Sequence, residues 1–280
     1  MLSEATAAKV AHVLLQQPQA LLIIGEPGSG KTKLARHLSE QLMQSAPVLG
    51  LSLHLIAPED NGSITIEQIR ALRSALALKL PKQQSQSSSS QSQRQRVVII
   101  EAADTMGEEA QNALLKLLEE PPSDTAIILL TTPQAPLLPT IQSRVARLPV
   151  HPLTKREAKA AFADFDQQQL DKAYHISRGN IGLLKALLLQ NDHPLLEQMT
   201  QAKQLLAKTP YERLIDVDPL SKSAELNQLM YCLKLLLHYH FRTNSTQRSL
   251  HRLEACLQAE QDLLRRVNKK IILTDLFIKM

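Results

Sequence analysis

The chain has 280 residues, 44% of them hydrophobic, and a formal net charge of +5, which is enough for two or three domains with a sizeable core. Aromatic residues are only 3% and tryptophan is absent, so the core must be built from Leu, Ile, Val and Ala, a bias that favours helices. The mild positive charge is compatible with work near nucleic acid without demonstrating it; no apolar run approaches the ~20 residues of a membrane helix; and neither Cys232 nor Cys256 sits in a CxxC pair, which excludes a cysteine-built zinc site and fits a reducing cytosol.

Residues 1–19 read as a polar-faced helix ending near Gln17-Pro18, and Glu4, Lys9 and His12 stand where a signal peptide would be apolar, so a soluble, cytoplasmic protein is expected. Ala20–Ile24 is a buried strand by length and composition. Over residues 31–43, Leu34, Ala35, Leu38 and Leu42 fall at helical spacing. Leu51–Ile56 reads as another strand and Asn61-Gly62 as a turn. Ile64, Ile66, Ile69, Leu72 and Leu76 then lead into a helix whose polar face carries Glu67, Arg70 and Arg73. Residues 82–96 are a Ser/Gln-rich tract with no apolar residue to pack, read as a flexible surface loop. Val97–Ile100 is a β-branched run that predicts a central strand. Glu108–Glu119 predicts a helix halted by Pro121-Pro122, and Ala126–Leu130 a further buried strand. After Pro133, Pro136 and Pro139 come a short helix or turn near Ile141–Val145 and a last edge strand at Leu148–Val150.

This alternation predicts a parallel α/β sheet through about residue 150. Thr154 followed three residues later by Glu157 is a capping-box pattern that starts a helix, and strand signals stop there. The expected plan is an α/β domain over 1–150, a small helical domain over 151–193 and an all-α domain over 194–280, with breaks around Pro210, Pro219 and Arg242–Gln247.

The pattern GxxxxGK[ST] is met without a mismatch by Gly25, Glu26, Pro27, Gly28, Ser29, Gly30, Lys31 and Thr32. Glycines let such a loop turn its N–H groups toward phosphate oxygens, and the helix that begins there adds its positive dipole end. Lys31 is expected on the β- and γ-phosphates of ATP and Thr32 on a magnesium ion. Hydrolysis also needs an acid at the tip of a neighbouring strand and a water-orienting group. Glu101 stands at the tip of Val97–Ile100, where it can reach Mg2+, but Ala102 follows and does no acid–base work. Asp104, two residues on, is expected to point elsewhere; the alternative is that Asp104 or Glu26 supplies the missing group. The forecast is a site that binds ATP and hydrolyses it poorly.

Several segments resemble clamp-loader ATPases of the AAA+ superfamily. Glu108 through Pro122 is similar to that family's hallmark helix. Thr140-Ile141-Gln142-Ser143-Arg144-Val145 resembles its Ser-Arg-Cys motif with Val145 for the cysteine. Ile64–Arg70 is similar to the segment before the acidic strand in bacterial members, and Val267–Leu273 resembles the last collar helix. Among DNA polymerase III clamp-loader subunits the degraded acidic motif resembles the non-motor type rather than the gamma/tau motors. The resemblance implies a hetero-pentamer with gamma/tau and delta subunits that loads a sliding clamp on primed DNA during replication. It implies that Arg144 acts in trans as an arginine finger on a neighbour's ATP, an effect worth 10³–10⁵ in rate in known cases. Without it, Arg144 reads as a surface ion pair. Three departures stand out. The family's cysteine zinc module is missing, the 83–96 loop is longer and more polar, and Leu183 occupies the place of the second sensor arginine, with Lys185 displaced by two residues. Thr131 and Thr132, at the end of Ala126–Leu130, are candidates for the polar first sensor. Two rival functions remain on this reading: an active gamma/tau-like motor, against which Ala102 and Leu183 speak, and a stand-alone P-loop NTPase or kinase, against which the long helical C-terminal region speaks.

Overall fold

The computed structural model describes residues 2–43, 52–59, 62–77, 96–122, 124–134, 136–189, 193–265 and 267–280; most of the Ser/Gln tract, Leu51 and Asn61 lie outside them. The chain divides into two compact units. One contains Glu4–Glu26 and Gly30–His151, and is built on a five-stranded sheet. Its elements are α1 (Glu4–Gln16), β1 (Ala20–Ile24), α2 (Lys31–Met43), β2 (Ser52–Ile56), α3 (Ile66–Ala77), β3 (Arg96–Ile100), α4 (Glu108–Glu119), β4 (Thr125–Thr131), α5 (Pro139–Gln142) and β5 (Ala146–Pro149). The order is β2-β3-β4-β1-β5, and every pairing is parallel. Strands covered on both faces become continuous apolar runs: β3 and β4 are buried at every residue. β5 lies at the edge, as its short sequence predicts.

The register brings the functional strand ends together. Ile24 pairs with Thr131, and the Gly25 N–H extends the ladder to Thr131 O at 3.1 Å. Ile100 pairs with Leu129, and the Glu101 N–H donates to Ile56 O at 2.8 Å. Ligands of open α/β sheets bind outside the carboxyl ends of the strands, and that edge carries Gly25, Glu101, Thr131 and Thr132.

Arg96 departs from the sequence reading, which left it in the polar tract. It is the first residue of β3 and 5% exposed. Its Nε and Nη2 reach the two carboxylate oxygens of Asp124 at 3.1 and 2.8 Å, and its Nη1 donates to Leu76 O at 2.8 Å. A bidentate carboxylate with a backbone acceptor is what lets a guanidinium enter a strand.

The other unit contains Pro152–Met280 and takes in the loop tip Pro27–Ser29. It is helical throughout: α6 (Lys155–Ala161), α7 (Gln167–Ser177), α8 (Ile181–Leu189), α9 (Pro194–Ala207), α10 (Pro210–Ile215), α11 (Val217–Lys222), α12 (Leu226–Thr243), α13 (Gln247–Leu264) and α14 (Lys269–Lys279). The capping box forms as read: the Glu157 N–H donates to Thr154 Oγ1 at 3.2 Å, and Thr154 N–H to the Glu157 carboxylate at 2.6 Å. Leu153, Ala158, Phe162, Leu170, Ala173 and Leu184 form one core cluster, and a larger one is centred on α12. Pro219 lies in the first turn of α11, just past the break between α10 and α11 at Asp216. In the first turn of a helix a missing N–H costs nothing, because no carbonyl precedes it to be served. Both cysteines are buried, and burial pushes each thiol up to about 12, so they serve as small apolar core residues.

Candidate functional site

The phosphate loop has the backbone its glycines allow: Gly28 and Gly30 have φ of 75° and 86°, values that favour glycine. A Cβ on Gly30 would meet nothing within 4 Å, so space opens beside the loop. Lys31 Nζ folds back and donates to Gly25 O at 2.5 Å and Glu26 O at 3.0 Å. Burial lowers its pKa to about 8, with Asp104 and then Glu26 partly restoring it. Ser29 Oγ is buried without a hydrogen-bond partner. An ammonium resting on weak carbonyl acceptors and an orphaned hydroxyl are groups that an oligophosphate would satisfy. The residues present therefore fit a nucleotide.

The acidic strand end differs from the sequence reading in one respect. Asp104 does not point away; it is the foremost charge acting on Lys31, and its Oδ2 accepts from Thr132 Oγ1 at 3.3 Å. The cause is local. Ala102 adopts a left-handed conformation (φ 47°, ψ 50°), and Ala103–Thr105 form a single 3-10 turn. That turn is closed by Thr105 N–H and Oγ1, each donating to Ala102 O at 2.8 Å, and the chain doubles back. Glu101 is half-buried at the strand tip. Of the two sensor candidates, Thr132 makes the contact with Asp104, whereas Thr131 is buried and its Oγ1 turns to Thr132 O at 3.4 Å. Thr32 is half-buried at the start of α2. Among the described residues no group of three or more His, Cys, Asp or Glu could hold a metal ion.

Arg144 follows α5 and is exposed. Its Nη2 pairs with Glu119 Oε1 at 2.8 Å, both side chains being more than a third exposed, and its Nη1 donates to Thr140 O at 3.0 Å. Sequence reasoning missed what holds this segment. Gln111, 2% exposed, donates from Nε2 to Met106 O (3.1 Å) and Pro136 O (3.2 Å) and accepts from the Leu138 N–H (2.8 Å). One amide thus ties α4 to the proline-rich approach to Arg144. A glutamine among the leucines of α4 was the only signal.

In the helical unit, Leu183 is fully buried within the large core, so its side chain is committed to packing. The loop tip is held there too: Asn180 Nδ2 donates to Pro27 O at 2.6 Å and to Tyr231 Oη at 3.0 Å, and the Gly182 N–H donates to Gly28 O at 3.1 Å.

A parallel sheet with the phosphate loop on β1, an acidic tip on β3, a polar tip on β4 and a helical C-terminal region defines a P-loop protein of the AAA+ class. A solved structure of a DNA polymerase III gamma subunit-related protein from Thermotoga maritima shares the fold, with a TM-score of 0.54 at 20% identity over 98% of this chain and 97% of that one. The chain belongs to the family described as "DNA polymerase III, delta subunit", whose profile matches residues 12–154, and it is a delta-prime-like clamp-loader protein. It is 31% identical to DNA polymerase III subunit delta' of Pseudomonas aeruginosa over 46% of this chain and 42% of that protein. It is 25% identical to the replication factor C small subunit of Aeropyrum pernix over 83% of this chain and 70% of that protein. The chain thus spans less than half the length of the delta' relative it matches.

Proposed function

We propose that this chain is the non-motor, delta-prime subunit of a DNA polymerase III clamp loader. On this reading it binds ATP in Gly25–Thr32, turns it over slowly, and offers Arg144 to the ATP held by a neighbouring motor subunit. It works in the cytoplasm within a hetero-pentamer with gamma/tau and delta subunits, which loads the sliding clamp on primed DNA. Residues 1–150, 151–193 and 194–280 serve as nucleotide, lid and collar domains.

The observation that carries the reading is Leu183 locked in a hydrophobic core. The position that resembles the second sensor offers the nucleotide no cation, and Ala102 offers the attacking water no base. When bound, magnesium would supply positive charge to the phosphate oxygens, and Thr32 and Glu101 carry the hard oxygen donors for it. Lys31 leaves its two carbonyls to bind phosphate, and the loop N–H groups orient it. Arg144 is free to act elsewhere because an exposed ion pair such as that with Glu119 is worth only about 0–1 kcal/mol, little to surrender on meeting a neighbour's phosphate.

The test is a reconstituted loader carrying Arg144→Ala, with clamp- and DNA-stimulated ATPase as the readout. A fall of ~10³-fold at the neighbouring site is expected; an unchanged rate rules out the trans role. Copurification with gamma/tau and delta tests the assembly itself. One observation favours a second reading, an active motor: Asp104, the alternative source of the missing acid, is the foremost charge acting on Lys31. Robust turnover by the isolated chain, lost in Asp104→Asn, would establish that reading instead.

A further inference from the structure

The helical unit holds a cationic cluster that the nucleotide site does not use. Arg213, on α10, is 3% exposed. Its Nε donates to Leu205 O at 2.7 Å and its Nη2 to Leu206 O at 3.2 Å. Both carbonyls belong to the last turn of α9, where acceptors lack intrahelical donors. Capping α9 accounts for two nitrogens of the guanidinium. The third, Nη1, is buried with no hydrogen-bond partner.

Among the described residues, the charges that act most on Arg213 are Arg252 and then Arg248, both positive. Those two arginines stand four residues apart on α13, hence one turn apart on one face. Arg248 is exposed and Arg252 half-buried. Arg252 Nε is likewise buried without a partner. The acids beside Arg213 in sequence are committed elsewhere: Glu212 accepts from the Thr209 N–H at 2.7 Å and from Thr209 Oγ1 at 2.9 Å, and Asp216 pairs with Lys208 at 2.5 Å. Burial, and then the two like charges, weaken the hold of Arg213 on its proton. A buried cation with an unpartnered N–H group and like charges acting on it is a costly arrangement unless an anion completes it.

We propose that Arg213, Arg248 and Arg252 form an oxyanion site that takes a phosphoryl group. A phosphate monoester or free phosphate brings about −1.5 to −2 charge and three strong acceptor oxygens, enough to engage three guanidinium groups. A carboxylate brings a single charge and two oxygens, and leaves the cluster cationic. Planar guanidinium forks match such oxygens in a way ammonium groups do not. The site rests on the buried, unpartnered Nη1 of Arg213 and Nε of Arg252, independent of the role of Arg144. Two sources share this chemistry: a free phosphorylated small molecule, and the phosphate of a nucleic-acid strand or its 5′ end.

The experiment is thermal unfolding of the full chain in millimolar sodium phosphate against sodium chloride at matched ionic strength. A ligand that binds the native state raises the melting temperature, so a rise of a few degrees is expected in phosphate. Arg248→Gln, a surface change, and Arg252→Gln should each remove most of that rise. Lys31→Ala should keep it, which separates this site from the phosphate loop. A rise insensitive to both arginine variants, or lost in Lys31→Ala, overturns the proposal, as does no rise at all. Single-stranded oligonucleotides with and without a 5′-phosphate, added as competitors, then assign the source. Loss of the phosphate response to either strand points to nucleic acid, and its persistence points to a free phosphorylated ligand. Arginine-dependent protection by a polyglutamate peptide and none by phosphate overturns the assignment.

Discussion

Arg96 in the sheet unit and Arg213 in the helical unit are almost equally withdrawn from water, at 5% and 3% exposed, and they are answered in opposite ways. Arg96 meets both oxygens of Asp124 and a backbone carbonyl; nothing is left over, and the pair fastens β3 to the turn before β4. Arg213 meets two carbonyls, with two more arginines as the charges acting on it, and one nitrogen is left open. Depth of burial alone therefore says little about what a charged residue does. What decides it is whether the surrounding atoms exhaust its hydrogen-bonding capacity. Lys31 lies between these cases, resting on two carbonyls with Asp104 as the opposing charge that acts on it most.

The comparison breaks most sharply at Asp124. Asp124→Asn turns Arg96 into an uncompensated buried cation, and should lower unfolding stability by about 3 kcal/mol, read from the urea midpoint of the full chain. If the loss is below about 1 kcal/mol, the two arginines are not as different as their contacts make them.

The intermediate case is sharpened by pH. Bound phosphate favours the ammonium form of Lys31, whose pKa without ligand is about 8, so binding must take up a proton above that pH. Affinity for a non-hydrolysable ATP analogue should fall about tenfold per pH unit from about pH 8 to about pH 10. A lysine of ordinary pKa would hold its affinity across that window, and a flat titration would show that burial does not govern Lys31. The sign reverses for folding. The unfolded chain binds this proton more tightly than the folded one, so the cost of Lys31 is full below about pH 8 and is relieved as the pH rises toward 10.5.

Two smaller effects follow. Ala102→Gly removes the left-handed strain at φ 47° and should raise stability by about 1 kcal/mol, less the added freedom of glycine in the unfolded chain, as a shift in urea midpoint. Glu119→Ala should cost less than about 1 kcal/mol, and should leave neighbour-stimulated ATPase intact or raised, since it frees Arg144. A large fall in that rate would mean that the ion pair positions the arginine.

The sheet was legible because its signals are local and strong. Ala20–Ile24, Lys31–Met43 and Glu108–Glu119 occupy the bounds that their apolar spacing predicts, and strand–glycine loop–helix announces itself in eight residues. The candidate site was half legible. Lys31, Glu101 and Thr132 were singled out by motif and by strand end. Asp104 was misjudged because a left-handed alanine carries no sequence mark, and that one dihedral angle decides where the next side chains point. Arg96 was misjudged because a charge beside a polar tract looks solvated until Asp124, far along the chain, is set against it. Gln111 and the arginines of α10 and α13 were invisible for the same reason: their meaning lies in partners that only the fold brings near.

Asn180 gives the molecule an optical handle. The sequence has four tyrosines and no tryptophan, so its long-wavelength aromatic absorption band belongs to tyrosine. One of these, Tyr231, is 5% exposed and accepts a hydrogen bond from the amide that also donates to Pro27 O in the phosphate loop. A phenol's absorption shifts when a hydrogen bond to its oxygen changes. Any occupant that moves the Pro27 carbonyl is thereby written into a difference spectrum, with no label attached.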